Sequence, residues 1–418
     1  MKLRPSLFLF IFLYLTNVLA LKSQSLTQTV RGTVVDQISQ SPLPGANVIL
    51  LNSDPFNGTA TDMDGNFKLQ NIPVGKQHFK ITFLGYKEFI LPNVTVTSGK
   101  EVVLTISLEE NVILGKEVTI TDKIEKNKPL NEYSAVSART FSVEETQKYA
   151  AAVNDPARMS TSYAGVVSTD DGNNAITIRG NSPNGLLWRM EGVEIPNPNH
   201  FSNVGTAGGG ISILSSQVLT NSDFMTGAFP AEYGNALSGV FDLKLRRGNN
   251  QKSEQTIQVG FLGTDLAVEG PFKKGYDGSY LVNYRYSTLS ILGKLGVNIG
   301  TATTNFQDLS YNFYLPTKKS GTFTLFGFGG LSSQFADADK DSTKWNSFYD
   351  KFNWDFTSNT GAAGLTHFIQ LNNRTYLKTS LVASGTGKTY SEEELDTNYE
   401  GIPPVSYTHL TLPTSDLV

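Results

Sequence analysis

The sequence predicts a mainly β chain in three parts: a small β-sandwich, a compact α+β domain, and the first strands of an antiparallel membrane barrel. Three observations predict it. Apolar residues recur in short runs with a period of two, the spacing of strands rather than of helices. Gly and Pro, 38 and 17 of the 418 residues, cut those runs into pieces of strand length. Past Lys252 the alternating runs lengthen to about ten residues and fill with Tyr and Phe, as in strands that face lipid on one side.

Composition narrows the function classes. The formal net charge is -4, so no basic surface for nucleic acid is implied. Cys is absent, which excludes a thiol nucleophile, a Cys-zinc site, a disulfide framework and a lipid attached to an N-terminal Cys. His78, His200, His367 and His409 lie far apart, in no metal-ligand spacing. No catalytic constellation, metal site or cofactor motif is read, and an enzyme is the least favoured reading.

The first residues carry an address. Lys2 and Arg4 precede the apolar run Leu7 to Ala20, "LFLFIFLYLTNVLA". A basic start, a short apolar core and small residues near a cut site form a secretory signal, residues 1–20. The run falls short of the ~20 apolar residues a spanning helix needs, and no later run is longer. A chain of this kind enters a membrane only as strands.

Residues 29–108 form the sandwich. "VRGTVVD", "ANVILLN", "GNFKLQNI", "KQHFKITFLGYKEFIL" and "EVVLTISL" are short β-branched or alternating runs punctuated by Gly and Pro. Within "DMDGN", Asp62, Asp64 and Asn66 are spaced like the start of a calcium loop. Such a loop needs a bidentate Glu at its twelfth position, and that position is Pro73. A hairpin turn is the expectation there. The pieces "RGTVVD", "PLPGANVIL", "TATDMDGNFKLQNIPVG" and "FLGY" resemble the carboxypeptidase regulatory-like domain, a transthyretin-type sandwich. That resemblance implies no peptidase: neither H-x-x-E nor H-E-x-x-H occurs.

Residues 109–130 are polar and charged, a linker. Inside it Glu117, Val118, Thr119, Ile120 and Thr121 form a β-prone island. It reads either as a last strand of the sandwich or as a segment that adds to a partner's sheet edge. From 131 to 247 the pattern is mixed. Ser142 with Glu145 makes a capping box for a short helix, and Asp155-Pro156 opens another. "ITIRGNSPNGLLWRMEGVEIPNPNHF" reads as strand, loop, strand, loop. Gly227, Gly234 and Gly239 mark bends or close backbone approach.

"ITIRGN", "MEGVEIPNPNH" and "GAFPAEYGNALSGVFDLKLRRG" resemble the plug domain of TonB-dependent outer-membrane receptors. The residues that carry it are Arg179, Gly180, Gly192, Tyr233, Gly234 and Gly239, with Glu191 where such plugs commonly have Asp. With a regulatory-like sandwich in front, the layout resembles receptors of the Bacteroidetes group. The resemblance implies a transporter that imports a scarce solute, driven by TonB and its inner-membrane energising complex. It implies residence in the outer-membrane lipid of a Gram-negative cell, with the N-terminal domain periplasmic. It makes Glu117 to Thr121 the TonB box. It turns the loops after Gly180 and Ile195 toward the ligand, with Asn184, Asn197, Asn199, His200 and Phe201 as contacts. A surface solute-binding lipoprotein is left open as a further partner, as are iron chelates, cobalamin, oligosaccharides and peptides as solutes. A non-transporting outer-membrane binding or adhesion protein is the alternative.

Residues 252–404 then read as a partial barrel. In "SYLVNYRYS", Tyr280, Val282, Tyr284 and Tyr286 share one face, and Leu281, Asn283 and Arg285 the other. "QDLSYNFYLP" alternates in the same way. A phase shift between Phe261 and Leu262 predicts a bulge or tight hairpin. About six or seven strands are expected, against about 22 in a plugged transporter. The sequence is thus expected to stop within the barrel, and Val405 to Val418, "VSYTHLTLPTSDLV", reads as a translated sequencing adapter.

Overall fold

A computed structural model describes residues 26–110, 137–141, 146, 155–288, 291 and 303–402, apart from 38, 171, 204, 261–262, 342, 344, 346–347, 373–374, 397 and 399. The signal segment, the capping box at Ser142–Glu145, the Glu117–Thr121 island and the 405–418 tail lie outside the described residues. The fold is mainly β. Two compact units divide the chain, 1–120 and 121–418.

The first unit holds strands β1 (Thr27–Asp36), β2 (Asn47–Leu50), β3 (Gly58–Ala60), β4 (Asn66–Pro73), β5 (Gly75–Thr82), β6 (Phe89–Val96) and β7 (Val102–Leu108). They form two sheets, ordered β4-β1-β7 and β3-β2-β5-β6. Alternate residues point between the sheets: Val30, Val34, Val48, Leu69, Phe79, Ile81 and Ile106 are all buried in one core. The "DMDGN" stretch is not a hairpin turn. Its flanking strands β3 and β4 belong to different sheets, so the turn carries the chain from one layer to the other. Asp62 Oδ1 accepts the N–H groups of Asp64 and Asn66, at 3.0 and 2.8 Å, and so fixes the turn. Tyr86, in the β5–β6 connection, has its phenol pushed up to about 12 by burial and by the Asp36 carboxylate.

The second unit has a central domain and a long sheet. The central domain contains β8 (Ala138–Phe141), helix α1 (Pro156–Ser160), β9 (Val166–Asp170), β10 (Asn173–Ile178), β11 (Leu186–Met190), β12 (Val193–Glu194), β13 (Asn199–His200), β14 (Ile211–Ser212), β15 (Ser222–Met225) and β16 (Gly239–Leu243). Asp155 caps α1, its Oδ1 accepting from Ala157 N at 2.8 Å, as the Asp-Pro pair predicts. A five-stranded sheet, β12-β11-β16-β15-β8, forms the body, with β11 and β16 parallel. Trp188 of β11 stacks on Phe241 of β16 at 4.4 Å between ring centroids, and Phe224 of β15 lies at 4.4 Å on Phe241.

The long sheet is an antiparallel meander of β17 (Glu254–Val259), β18 (Gly263–Pro271), β19 (Ser279–Ser287), β20 (Thr303–Pro316), β21 (Thr322–Ala336), β22 (Phe352–Asn372), β23 (Thr375–Leu395) and β24 (Gly401–Ile402). Eight strands are therefore described, against the six or seven expected, because the two-residue β24 pairs with the end of β23. The sheet is open, with β17 and β24 at its edges. Gly260 N donates to Gly263 O at 2.9 Å, so β17 and β18 form the tight hairpin that the phase shift predicts. The connections at one end of the sheet, 272–278, 317–321 and 373–374, are short. Those at the other include 288–302 and 337–351.

The period-two pattern sorts the two faces of this sheet. On β19 and β20, Leu281, Asn283, Asp308, Ser310 and Asn312 are buried beneath the central domain. Tyr284 and Leu309 on the other face are exposed, with Leu331, Leu365 and Leu381 on the following strands. An apolar outer face with a polar inner one is the inverse of a soluble sheet and the pattern of a lipid-facing wall.

Candidate functional site

The plug-like residues act as backbone devices. Arg179 and Gly180 turn the chain after β10 with φ of 50° and 82°, and Glu191 and Gly192 turn it after β11 with φ of 53° and 86°. Both turns need left-handed backbone, which Gly takes at no steric cost. Arg179 Nη2 donates to Ser137 Oγ at 2.8 Å, tying the turn to the start of β8. Tyr233 is buried; its hydroxyl donates to Asp242 Oδ2 at 3.0 Å, and the Arg189 guanidinium lies 4.6 Å from its ring centroid. A Cβ on Gly239 would stand 2.3 Å from Ile178 Cδ1, so β10 packs directly on the β16 backbone. Gly234 has open space around it.

The five ligand candidates divide. Asn184 is exposed, in a 3-10 turn (Pro183–Gly185) whose N-terminal Ser182 caps it. The other four belong to the loop after Ile195, which is fixed on two sides. Toward its own domain, an amide chain runs through it. Asn197 Nδ2 donates to Thr206 O and Gly208 O, and Asn199 Nδ2 to Asn197 Oδ1. Asn174 Nδ2 donates to Asn199 Oδ1 and to Asp155 Oδ2, each at 2.6 Å. Burial raises the Asp155 carboxyl above the usual range, opposed by the Asn174 bond and the helix-cap bond. The chain thus ends at the α1 cap, and it takes Asn199 out of solvent.

Toward the long sheet the same loop makes a second set of bonds. His200 Nε2 lies 2.9 Å from Asp308 Oδ2 of β20, both side chains fully buried. Arg285 of β19 donates to that same oxygen through Nε and Nη2, at 2.9 and 2.7 Å, and Nη2 also reaches Ser212 O. Burial holds the His200 imidazole below its ordinary range; Asp308 pulls the other way, and Arg285 adds to the depression. The ring is therefore neutral at pH 7 and donates Nε2–H to the carboxylate. Beneath it, Gly330 of β21 leaves room: a Cβ there would be 2.7 Å from His200 Cε1 and 2.6 Å from Ile213 Cδ1. Phe201 N then donates to Ser332 Oγ on β21, Ser358 Oγ on β22 donates to Ser202 O, and Lys388 Nζ on β23 donates to Asn203 Oδ1. Residues 201–203 cross three neighbouring strands in three steps.

A further bond set closes the other end of the central domain. Arg246 grips Glu269 of β18 with two bonds of 2.7 Å, and Asn249 N donates to the same carboxylate at 3.0 Å. Between these polar clamps lies a shared apolar cluster. Leu281, Phe326, Phe328 and Ala362 of the sheet share one core with Ile213, Leu214 and Phe241.

Sequence reading had placed Asn283 and Arg285 on the face opposite the tyrosines. It missed Asp308, which accepts from Arg285, and Asp265, which accepts from Asn283. It also missed the Arg246–Glu269 pair and the inner end of the amide chain, Asp155 and Asn174. A usable signal was present: polar residues at alternate positions of strands that are otherwise apolar need partners when they are buried.

Residues 30–120 match the family profile of the CarboxypepD_reg-like domain. The N-terminal part is a domain of that kind. Its match runs through Ile120 and so overlaps Glu117–Ile120. No curated protein matches the chain. Among solved structures, the siderophore receptor PirA from Pseudomonas aeruginosa is similar at 15% identity and TM-score 0.40, covering 62% of this chain and 43% of that one. The copper transporter OprC is similar at 10% identity and TM-score 0.43, covering 65% and 50%. A cohesin–X-dockerin complex from Acetivibrio cellulolyticus is similar at 24% identity and TM-score 0.17, covering 19% and 56%. The chain thus spans about half the length of the solved chains it resembles.

Proposed function

We propose that this chain belongs to a TonB-dependent outer-membrane receptor that imports a scarce solute into the periplasm. One observation carries the reading. A compact domain with the plug-like Arg-Gly, Glu-Gly and Tyr-Gly turns fills the polar face of a strand meander whose other face is apolar and exposed. Only a sheet that meets lipid outside and a plug inside has a use for that inversion.

In this reading residues 131–247 are the plug and 252–404 barrel wall. The short turns lie at the periplasmic rim, and the longer connections face the exterior, as is usual for such barrels. The layout is of the Bacteroidetes type, with the sandwich at 29–108 in the periplasm after removal of residues 1–20. The 109–130 linker carries the TonB box at Glu117–Thr121. TonB, energised by the inner membrane, pulls there by adding a strand, and the plug loosens from the wall. Asn184, Asn197 and Phe201 offer ligand contacts as the loops lie. Asn199 and His200 become available once the loop leaves the wall.

The test is Ile120→Pro in the complete receptor, because Pro has no N–H to donate to a partner strand. Uptake is expected to stop while solute binding persists. Normal uptake by that variant would refute coupling through this segment.

A further inference from the structure

The crossing of residues 201–203 defines a floor, and strand register defines what stands above it. Ser332, Ser358 and Lys388, the three residues that hold the loop, form one row across β21, β22 and β23. Two residues toward the long connections, on the same face, the next row is Gln334, Phe356 and Tyr390. The row beyond places Trp354 opposite Glu392. Phe356 and Trp354 are half-buried, and Tyr390 is 50% exposed. The Lys388 ammonium lies 5.1 Å from the Phe356 ring centroid. Three aromatic rings thus rise beside a floor that presents the Asn203 amide.

Charge narrows what fits. Within residues 337–355 and 388–400, the segments flanking these rows, ten carboxylates stand against four lysines, a net of -6. Such a rim repels a polyanionic chelate. On the face itself, Lys388 and Glu392 offset one another, leaving flat rings edged with amide, ammonium and hydroxyl groups.

Resting on the receptor reading, we propose that this face is the outer solute subsite and that its ligand is a neutral oligosaccharide. The C–H faces of a pyranose stack on Trp354, Phe356 and Tyr390. Its hydroxyls exchange hydrogen bonds with Asn203, Lys388 and Gln334. The contact carries no net charge, so salt leaves it unchanged.

The experiment is calorimetric titration of the full chain in detergent micelles. The probes are neutral glucan, mannan and xylan hexasaccharides, and a ferric tris-catecholate as the anionic arm. One saccharide series is expected to bind, insensitive to salt. Tyr390→Ala, at a half-exposed position that leaves folding intact, and Phe356→Ala are each expected to weaken it roughly three- to tenfold, the scale of one stacked ring. Binding of the ferric complex alone, lost in Phe356→Ala, overturns the oligosaccharide assignment and leaves the receptor reading standing. Saccharide binding unmoved by both variants, or no binding by any probe, overturns the subsite.

Discussion

The N-terminal sandwich and the central domain are both small β structures, yet they finish their cores differently. Every residue of the sandwich core, from Val30 to Leu108, belongs to the sandwich. The central domain's core is completed by Leu281, Phe326, Phe328 and Ala362, side chains of the long sheet. One domain carries its own hydrophobic partner and the other borrows it. The sandwich can therefore fold by itself, whereas parting the central domain from the sheet would expose part of the core they share.

The largest expected effect separates the two as fragments. Residues 26–110 alone should unfold in one cooperative transition, whereas residues 131–250 alone should show none, which circular dichroism in denaturant would check. A cooperative melt of the second fragment would break the comparison. Core truncation sharpens it. Phe79→Ala should cost about 3–5 kcal/mol and lower only the sandwich transition. Phe328→Ala, of similar cost, should loosen the central domain and the sheet together, as two-transition melts would resolve. Smaller is the polar clamp: Glu269→Gln leaves the Arg246 guanidinium half-answered, for about 3 kcal/mol. Its expected sign is faster proteolysis near 246–250. The smallest effect is that of pH. Burial depresses His200, so the folded chain binds fewer protons than the unfolded chain just below the ordinary histidine range. Stability of the loop should therefore fall as pH drops below about 6.5. Hydrogen exchange of residues 199–203 would report it, and His200→Gln should flatten the dependence.

Much of this was legible in the sequence, for identifiable reasons. Period two at Tyr280–Tyr286 located both faces of β19 because one side meets a polar partner and the other does not. Asp155-Pro156 foretold α1 because cap and first turn are local. Reading failed where a partner lies far along the chain. Nothing near His200 announces Asp308, and nothing near Asp62 tells that its turn joins two sheets rather than two paired strands. The loop after Ile195 looked like free amides and rings. Asn174 and the long sheet, remote in sequence, take Asn199 and His200 out of solvent.

The crossing of β21, β22 and β23 by residues 201–203 has a mechanical consequence. Its three attachments lie side by side, perpendicular to the strands. A force directed along the strands loads all three at once, in shear, so they must give way together. A force directed across the strands meets them singly and peels them like a zip. A tug toward the short-turn end is of the first kind, and the loop should hold to a threshold and then release in one step.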